Sequence, residues 1–113
     1  MKVTQESTYH MCPKFAKTFG ILGKKWNGLI IDVLLAEGPQ RFKDIASKVD
    51  KCSDRVMVER LKELEGEGLV EKIPSEGCCR ESYQLTKQGQ DLAEVMGAVH
   101  AWANKWYSLE DCK

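Results

Sequence analysis

A cysteine directly followed by a proline, Cys12-Pro13, precedes a helix-like stretch and is the first candidate for chemistry in this chain. The thiolate is the reactive form of cysteine, and a helix N-terminus and nearby cations such as Lys14 and Lys17 favour that anion. The residues themselves leave four roles open for Cys12: a small buried apolar side chain, a metal ligand, a catalytic nucleophile or a redox sensor.

The sequence around the thiol argues against catalysis and metal binding. A cysteine enzyme needs an activating base, and neither His10 nor His100 has a recognisable partner. Zinc sites usually contain pairs such as Cys-x-x-Cys, and no such pair occurs among the five cysteines, Cys12, Cys52, Cys78, Cys79 and Cys112. An odd number of irregularly spaced cysteines also disfavours a disulfide-bonded secreted domain. We therefore predict no catalytic site, no metal site and no cofactor.

The composition fits one domain. The chain has 113 residues, of which 42% are hydrophobic and 30% are charged, and this length is enough for a single hydrophobic core. No apolar run approaches the roughly 20 residues that cross a bilayer, and residues 1–10 contain no apolar signal segment. We expect a cytoplasmic protein with no membrane partner, with one domain over 1–113, a flexible N-terminus over 1–10 and a tail over 109–113.

The formal net charge is zero, but the charges are unevenly distributed. Residues 13–62 contain eleven Lys or Arg and six Asp or Glu, whereas residues 63–113 contain five and ten. The basic first half favours a surface that faces a polyanion such as DNA. On charge alone, solvated side chains scattered over helices would be the simpler interpretation.

The hydrophobic periodicity predicts four helices, two strands and a final helix. Pro13 suits the first turn of the first helix and Ser53 suits the N-cap of the fourth. The expected ranges are helices over 13–23, 24–36, 41–49 and 54–67, strands over 69–73 and 80–85, and a long helix over 86–108. This order, α-α-α-α-β-β-α, is mainly α with a small β-hairpin and is typical of a winged helix-turn-helix.

The apolar stripes of the second and fourth helices predict their core-facing sides. In the second helix the stripe is Trp26, Leu29, Ile30, Val33 and Leu34. In the fourth helix the core-facing residues are Val56 or Met57, then Leu61 and Leu64.

The fourth helix is the candidate recognition helix, because a helix fits the major groove and its N-terminal residues reach the base edges. With its apolar side facing the core, its outward side is formed by Ser53, Asp54, Arg55, Val58 and Glu59. Arg55 is the candidate for a bidentate contact to guanine, and Val58 for a contact to a thymine methyl group. Asp54 fits a role at the positive end of the helix better than a contact to cytosine.

Basic side chains around this helix are candidates for phosphate contacts, which fix the register on DNA. The candidates are Arg41, Lys43, Lys48, Lys51 and Arg60, with Lys24 and Lys25 as further ones. Arg80 follows the turn of the hairpin and would reach the adjacent backbone or the minor groove. Most single surface lysines have no specific role, so the set as a whole favours DNA.

The last helix carries an apolar stripe that one small domain would struggle to cover. Over 86–108 the helix would be roughly 33 Å long at 1.5 Å per residue. We expect part of its stripe to pack on the first helix of the same subunit and the rest to pack against a symmetry mate. The residues predicted for the core and the dimer interface are Leu92, Met96, Val99, Trp102 and Trp106.

Five stretches together resemble the HxlR-type family of bacterial winged-helix transcription regulators. They are Cys12-Pro13, LGKKW (22–26), GPQRFKDI (38–45), ERLKELEGEGLVEK (59–72) and YQLTKQG (83–89). They occur in the family's order and span nearly the whole chain. The stretch LGKKWNGLIIDVL (22–34) is most similar to the thiol-based branch that senses quinones and other electrophiles.

The resemblance implies a homodimer that binds a two-fold operator of double-stranded DNA as a repressor. It implies release from that operator when Cys12 is modified by a quinone, another electrophile or an oxidant. A second thiol, Cys112, is implied as a disulfide partner in the other subunit, and Cys52, just before the recognition helix, is a further redox-sensing candidate. A regulator without redox sensing and a winged helix that docks proteins remain alternatives, and salt-dependent DNA binding would exclude the latter.

Overall fold

The computed structural model describes residues 8–74 and 81–112. Its helices are α1 (Pro13–Leu22), α2 (Asn27–Glu37), α3 (Phe42–Lys48), α4 (Asp54–Gly66), α5 (Lys87–Gln90) and α6 (Ala93–Trp106). Its strands are β1 (Gln40–Arg41), β2 (Val70–Pro74) and β3 (Glu81–Leu85), and a short 3-10 helix follows at Leu109–Cys112. The predicted fold class, a mainly helical winged helix-turn-helix, is confirmed.

The second helix begins three residues later than predicted, because the chain turns at a joint between the first two helices. Pro13 occupies the first turn of α1, where its missing N–H costs no hydrogen bond. Trp26 adopts a left-handed backbone with φ of 82°, so α2 begins at Asn27 and not at Lys24 as predicted. The fully buried side chain of Asn27 donates from Nδ2 to the carbonyl of Ile21 at 2.9 Å. This hydrogen bond ties the start of α2 to the end of α1.

Helices α3 and α4 form the helix-turn-helix. Ser53 caps α4 as predicted, because its hydroxyl accepts a hydrogen bond from the N–H of Val56 at 3.2 Å. The turn that precedes the cap contains Lys51 with φ of 69°. This left-handed conformation is uncommon for a residue other than glycine, and it turns the chain between the two helices.

The sheet has three antiparallel strands in the order β1-β3-β2. The predicted hairpin is confirmed by β2 and β3, in which Val70 lies opposite Leu85. The strand β1 was not predicted: Gln40 lies opposite Tyr83 and Arg41 opposite Ser82. Because these two residues extend the sheet, α3 begins one residue later than the predicted start at Arg41.

The hydrophobic core lies where α2, α3 and α4 meet the sheet. On α4 the predicted side is confirmed, since Met57, Leu61 and Leu64 are buried. They pack in one cluster with Ile30, Ile31, Leu34, Ile45, Val49, Leu69, Val70 and Leu85. The prediction for Leu29 is wrong, because its side chain is 53% exposed. The buried stripe of α2 follows positions 27, 30, 31 and 34, and Leu29 lies beside that stripe.

The C-terminal region differs from the single helix predicted over 86–108, because it is divided into α5 and α6. Thr86 caps α5, its hydroxyl accepting from the N–H of Gly89 at 3.1 Å. At the break the N–H of Leu92 donates to the carbonyl of Gly89, three residues back, at 3.1 Å. Helix α6 has 14 residues and is about 21 Å long at 1.5 Å per residue. None of the described helices is both long enough and apolar enough to cross a bilayer.

Replacing Gly89 by alanine is expected to destabilise the fold. A Cβ atom at this buried position would overlap the backbone carbonyl of Leu69 and lie 3.0 Å from Cδ2 of Leu85. We expect Gly89→Ala to lower the free energy of unfolding by about 1–3 kcal/mol, the usual cost of overpacking, as measured by urea denaturation. Gly66→Ala is the control, because no atom lies within 4 Å of a Cβ there. Equal stabilities of the two variants would contradict this account of the α5 packing.

Candidate nucleic-acid interface and thiol site

Helix α4 presents its N-terminal half to solvent, as a recognition helix requires. The apolar side of the helix is buried in the core, and this leaves the five residues predicted for the DNA-facing side on the outer side. Val58 is 40% exposed, which is accessible enough to contact a base. The exposed set is Ser53, Asp54, Arg55, Val58 and Glu59. Their contacts with bases stay a prediction.

The start of α4 separates the roles of its first three residues. Ser53 supplies the capping hydroxyl, and Asp54 in the first turn places a negative charge at the positive end of the helix. Arg55 forms no ion pair with any residue in 8–74 or 81–112. Its guanidinium is therefore available to a ligand, and the five donors of that group match the acceptors on guanine.

The basic residues predicted to contact phosphate fall into two groups. Arg41, Lys43 and Lys51 are exposed and form no ion pair within the described part of the chain. Lys48 donates from Nζ to Oε1 of Gln40 at 3.2 Å, an exposed contact that DNA can replace. Arg80 lies outside the described residues.

The other three basic residues are engaged within the protein. Lys24 Nζ lies 3.1 Å from Oε2 of Glu63, and Arg60 donates from Nε to the carbonyl of Lys25 at 3.1 Å. Lys25 Nζ lies 5.0 Å from the centre of the Trp26 ring, which is a cation–π contact. These side chains stabilise the joint between α1 and α2, which weakens their case as phosphate contacts.

Cys12 occupies the N-cap position of α1, as predicted, and is exposed. Its backbone is extended, with φ of −85° and ψ of 117°, and its carbonyl accepts from the N–H of Ala16 at 3.0 Å. Of the two lysines expected to assist the thiol, Lys17 instead pairs with Glu67, with 3.1 Å between Nζ and Oε1. Lys17 is therefore engaged with Glu67 and not with the thiol.

The remaining cysteines have different surroundings. Cys52 is half-buried against the core, and its Sγ donates to the carbonyl of Ser53 at 3.6 Å. Burial raises the pKa of the Cys52 thiol, and Arg60 only partly opposes this effect. Cys112 is exposed, with its Sγ 3.4 Å from the carbonyl of Ser108. Cys78 and Cys79 lie outside the described residues.

The residues predicted for the dimer interface also divide into two groups. Leu92 and Met96 are half-buried and pack against the hydrophobic core of the chain. Val99, Trp102 and Trp106 are 56%, 56% and 63% exposed. The second group therefore forms an apolar surface that the described residues of one subunit do not cover.

This apolar surface continues onto α1, which was predicted to take part in the dimer together with the last helix, and onto α2, which was not. Phe15 and Phe19 are exposed on α1, with their ring centres 4.9 Å apart. A groove of about 450 Å³ runs between α1, α2 and α6, and Leu29 and Val99 are among its lining residues. The sequence contained a signal for this surface, because the two phenylalanines recur at helical spacing. Other residues already fill the core, so these two were available for an exposed apolar surface.

Comparison with known proteins identifies similar sequences. The model of the HxlR-like helix-turn-helix family matches residues 21–111. Over 97 residues the chain is 43% identical to the HTH-type transcriptional regulator YodB of Bacillus subtilis, covering 85% of this chain and 86% of YodB. It is 44% identical over 97 residues to YvaP, an uncharacterized HTH-type transcriptional regulator of the same organism, covering 85% and 89% of the two chains.

Solved structures show the same similarity. The reduced form of YodB from B. subtilis superposes with a TM-score of 0.75 at 42% identity, covering 86% of this chain and 95% of that one. The quinone-bound form gives a TM-score of 0.73 at 43% identity, with 85% and 100% covered. The diamide-treated form gives 0.70 at 42% identity, with 88% and 99% covered.

The burial of Cys52 predicts slow alkylation of this thiol. A raised pKa means that the Cys52 thiolate forms only at higher pH than that of a free cysteine. At pH 7 we therefore expect iodoacetamide to label the exposed Cys12 before Cys52, and we expect the rate at Cys52 to rise steeply as the pH increases. Peptide mass spectrometry after timed quenching measures both rates. Faster labelling of Cys52 at pH 7 would contradict the placement of the two thiols.

Proposed function

The chain belongs to the HxlR-like helix-turn-helix family of transcriptional regulators, and from this premise we propose that it is a thiol-controlled repressor. In this proposal a homodimer binds a two-fold DNA operator through α4 of each subunit. Modification of Cys12 by a quinone, another electrophile or an oxidant releases the DNA. The observation that carries the proposal is an exposed cysteine at the N-cap of α1 in a protein whose recognition helix is free to enter the major groove.

Direct readout of DNA is assigned to the outer side of α4. Arg55 is exposed near the start of the helix, where side chains in this type of domain reach the base edges. The exposed Lys43 and Lys51 lie on the helix and the turn that precede α4, and we assign them to phosphates. In this division, base contacts determine the sequence specificity, and phosphate contacts provide the salt-dependent part of the affinity.

Dimerisation is assigned to the apolar surface of α1 and α6. Its exposed apolar side chains include Phe19 and Val99, which line the same groove, and exposed apolar surface of this kind marks protein interfaces. A second copy of the chain suits this patch, because a two-fold operator requires two recognition helices in fixed positions. Burial of each large side chain would contribute about 1.5–3 kcal/mol.

Two reactions at Cys12 fit its exposure. With a quinone, the sulfur bonds to a ring carbon, and the thiol proton and the displaced ring hydrogen move to the two carbonyl oxygens, which gives a hydroquinone thioether. With diamide, Cys12 and Cys112 of the partner subunit would each lose a proton and an electron to the N=N bond, which gives a disulfide and a hydrazine. The solved forms of YodB include a quinone-bound and a diamide-treated state, and this supports both routes.

Arg55 is expected to determine sequence specificity. Arg55→Ala should cost about 1–3 kcal/mol of operator binding and relax the preference at one base pair in each half-site. Operators would first be selected from random duplexes with the wild-type protein, and affinities then measured by fluorescence anisotropy. Lys43→Ala is the matched control, because it should weaken all sequences alike and reduce the salt slope by about 1. Unchanged specificity in Arg55→Ala would show that the recognition surface is wrongly assigned.

Cys12 is expected to carry the response to electrophiles. Cys12→Ser should bind the selected operator with wild-type affinity, because the hydroxyl is similar in size and Cys12 is not among the residues assigned to DNA contacts. It should stay bound after treatment with 1,4-benzoquinone or diamide, whereas the wild type dissociates in the same gel-shift assay. Cys52→Ser is the matched control and should still dissociate. Release of Cys12→Ser together with retention of Cys52→Ser would place the sensing thiol at the recognition helix.

A further inference from the structure

We infer that polar contacts along one side of α4 make Glu63, Glu67 and Arg60 positioning residues that couple the recognition helix to α1 of the same subunit. Cys12 is the N-cap of α1, so this inference rests on the proposed function and specifies how a modified thiol would act on DNA binding. The three contacts are together called the α1–α4 tether.

The tether joins α4 to three successive parts of the α1 region. Lys17 Nζ in the middle of α1 lies 3.1 Å from Oε1 of Glu67. Lys24 Nζ, just after α1, lies 3.1 Å from Oε2 of Glu63. The next residue, Lys25, accepts at its carbonyl a hydrogen bond from Nε of Arg60 at 3.1 Å. Together these contacts run along the C-terminal half of α4.

The tether residues share one face of α4, away from the proposed base contacts. Arg60, Glu63 and Glu67 follow the spacing i, i+3 and i+7, which aligns side chains along a single helical face. At 100° per residue, Val58 points to the opposite side of the helix, and Arg55 lies about 110° around the helix from the centre of the tether face. A change in the tether therefore changes the orientation of the recognition helix without touching the residues that read DNA.

Helix α1 has few other contacts that fix its position. It contains no buried residue, and only Ile21 and Leu22 at its end pack against the core. A groove of about 220 Å³ separates α1 from the end of α4 and α5, with Lys17 and Glu67 at its margin. The first turn of α1 is exposed, and the Lys17–Glu67 pair spans the groove beside the second half of the helix.

The Lys24–Glu63 contact holds a carboxylate that is otherwise poorly satisfied. Oε1 of Glu63 is buried and has no hydrogen-bond partner among the described residues. Lys24 supplies a hydrogen bond to the other oxygen, Oε2, at 3.1 Å. The joint itself is held by the hydrogen bond from Nδ2 of the buried Asn27 to the carbonyl of Ile21, at 2.9 Å. Movement of α1 is consequently carried to α4 at this end of the helix.

The tether gives a physical route from the thiol to the DNA. A quinone adduct or a disulfide at Cys12 changes what the start of α1 can contact, and the helix moves as a rigid unit. The tether carries this movement to α4, and opposite movements in the two subunits change the distance between the recognition helices. Two half-sites one helical turn apart tolerate little change in that distance.

The test measures amide hydrogen exchange in α4 of the intact protein, before and after 1,4-benzoquinone forms the thioether at Cys12. In the wild type, the adduct should accelerate exchange in 60–66. In Lys17→Glu and in Glu67→Lys, exchange should already be about two- to fivefold faster without quinone, since an exposed pair contributes up to about a factor of five. The adduct should add little in either variant. The swapped double variant Lys17→Glu/Glu67→Lys should regain both the slow exchange and the response.

Two controls make the measurement specific. Lys87→Glu makes the same charge change at an exposed lysine of α5 that forms no ion pair with a described residue, so it should behave like the wild type. Cys12→Ser should show no response of α4 to quinone. At 1 M salt, where screening extends over only about 3 Å, the difference between the wild type and Lys17→Glu should shrink.

The outcomes separate the tether from the proposed function. A wild-type adduct that leaves α4 unchanged, or single variants that respond like the wild type, would overturn the tether. If mass spectrometry finds no adduct at Cys12, the proposed sensing function fails. In that case the tether is tested by hydrogen exchange of the proteins without quinone. Faster exchange in the single variants that the swap reverses supports it, and unchanged exchange refutes it.

Discussion

The burial of Met57, Leu61 and Leu64 in the central cluster determines the rotation of α4 about its axis. A helix packed in this way can present only its opposite side to a ligand, so Arg55 and Val58 face solvent. The position of the other elements follows from the same packing, because α2, α3 and the sheet all contribute to the cluster. One side of α4 therefore stabilises the fold, and another side is left for recognition.

The sequence was sufficient to predict the fold class and the buried side of α4, because periodicity and a good N-cap at Ser53 both report local preferences. It was insufficient at three places where tertiary contacts decide. Trp26 adopts a left-handed backbone that no propensity predicts for tryptophan. Gln40 and Arg41 form a strand only because β3 lies beside them. The break after α5 occurs where Gly89 approaches the backbone of Leu69.

The candidate site was predicted less completely than the fold. Exposure of the predicted α4 residues follows from helix geometry, so it was accessible from the sequence. Charge patterning did not distinguish Lys43, which is unpaired within the described chain, from Lys17 and Lys24, which pair with glutamates 50 and 39 positions away. Such pairs depend on how helices are arranged in space. The number of basic residues in the first half of the sequence is therefore only an upper limit on the number of cations that are available to bind a polyanion.

The proline after Cys12 has a consequence for the entropy of reaction. A residue before proline is sterically excluded from most helical conformations, in the unfolded chain as well as in the folded one. The extended backbone of Cys12 is therefore retained even when the first turn of the helix frays. The sulfur samples fewer positions before it meets an electrophile, so less conformational freedom is lost as the bond forms. The order needed at this site is thus encoded in two adjacent residues and does not depend on the core.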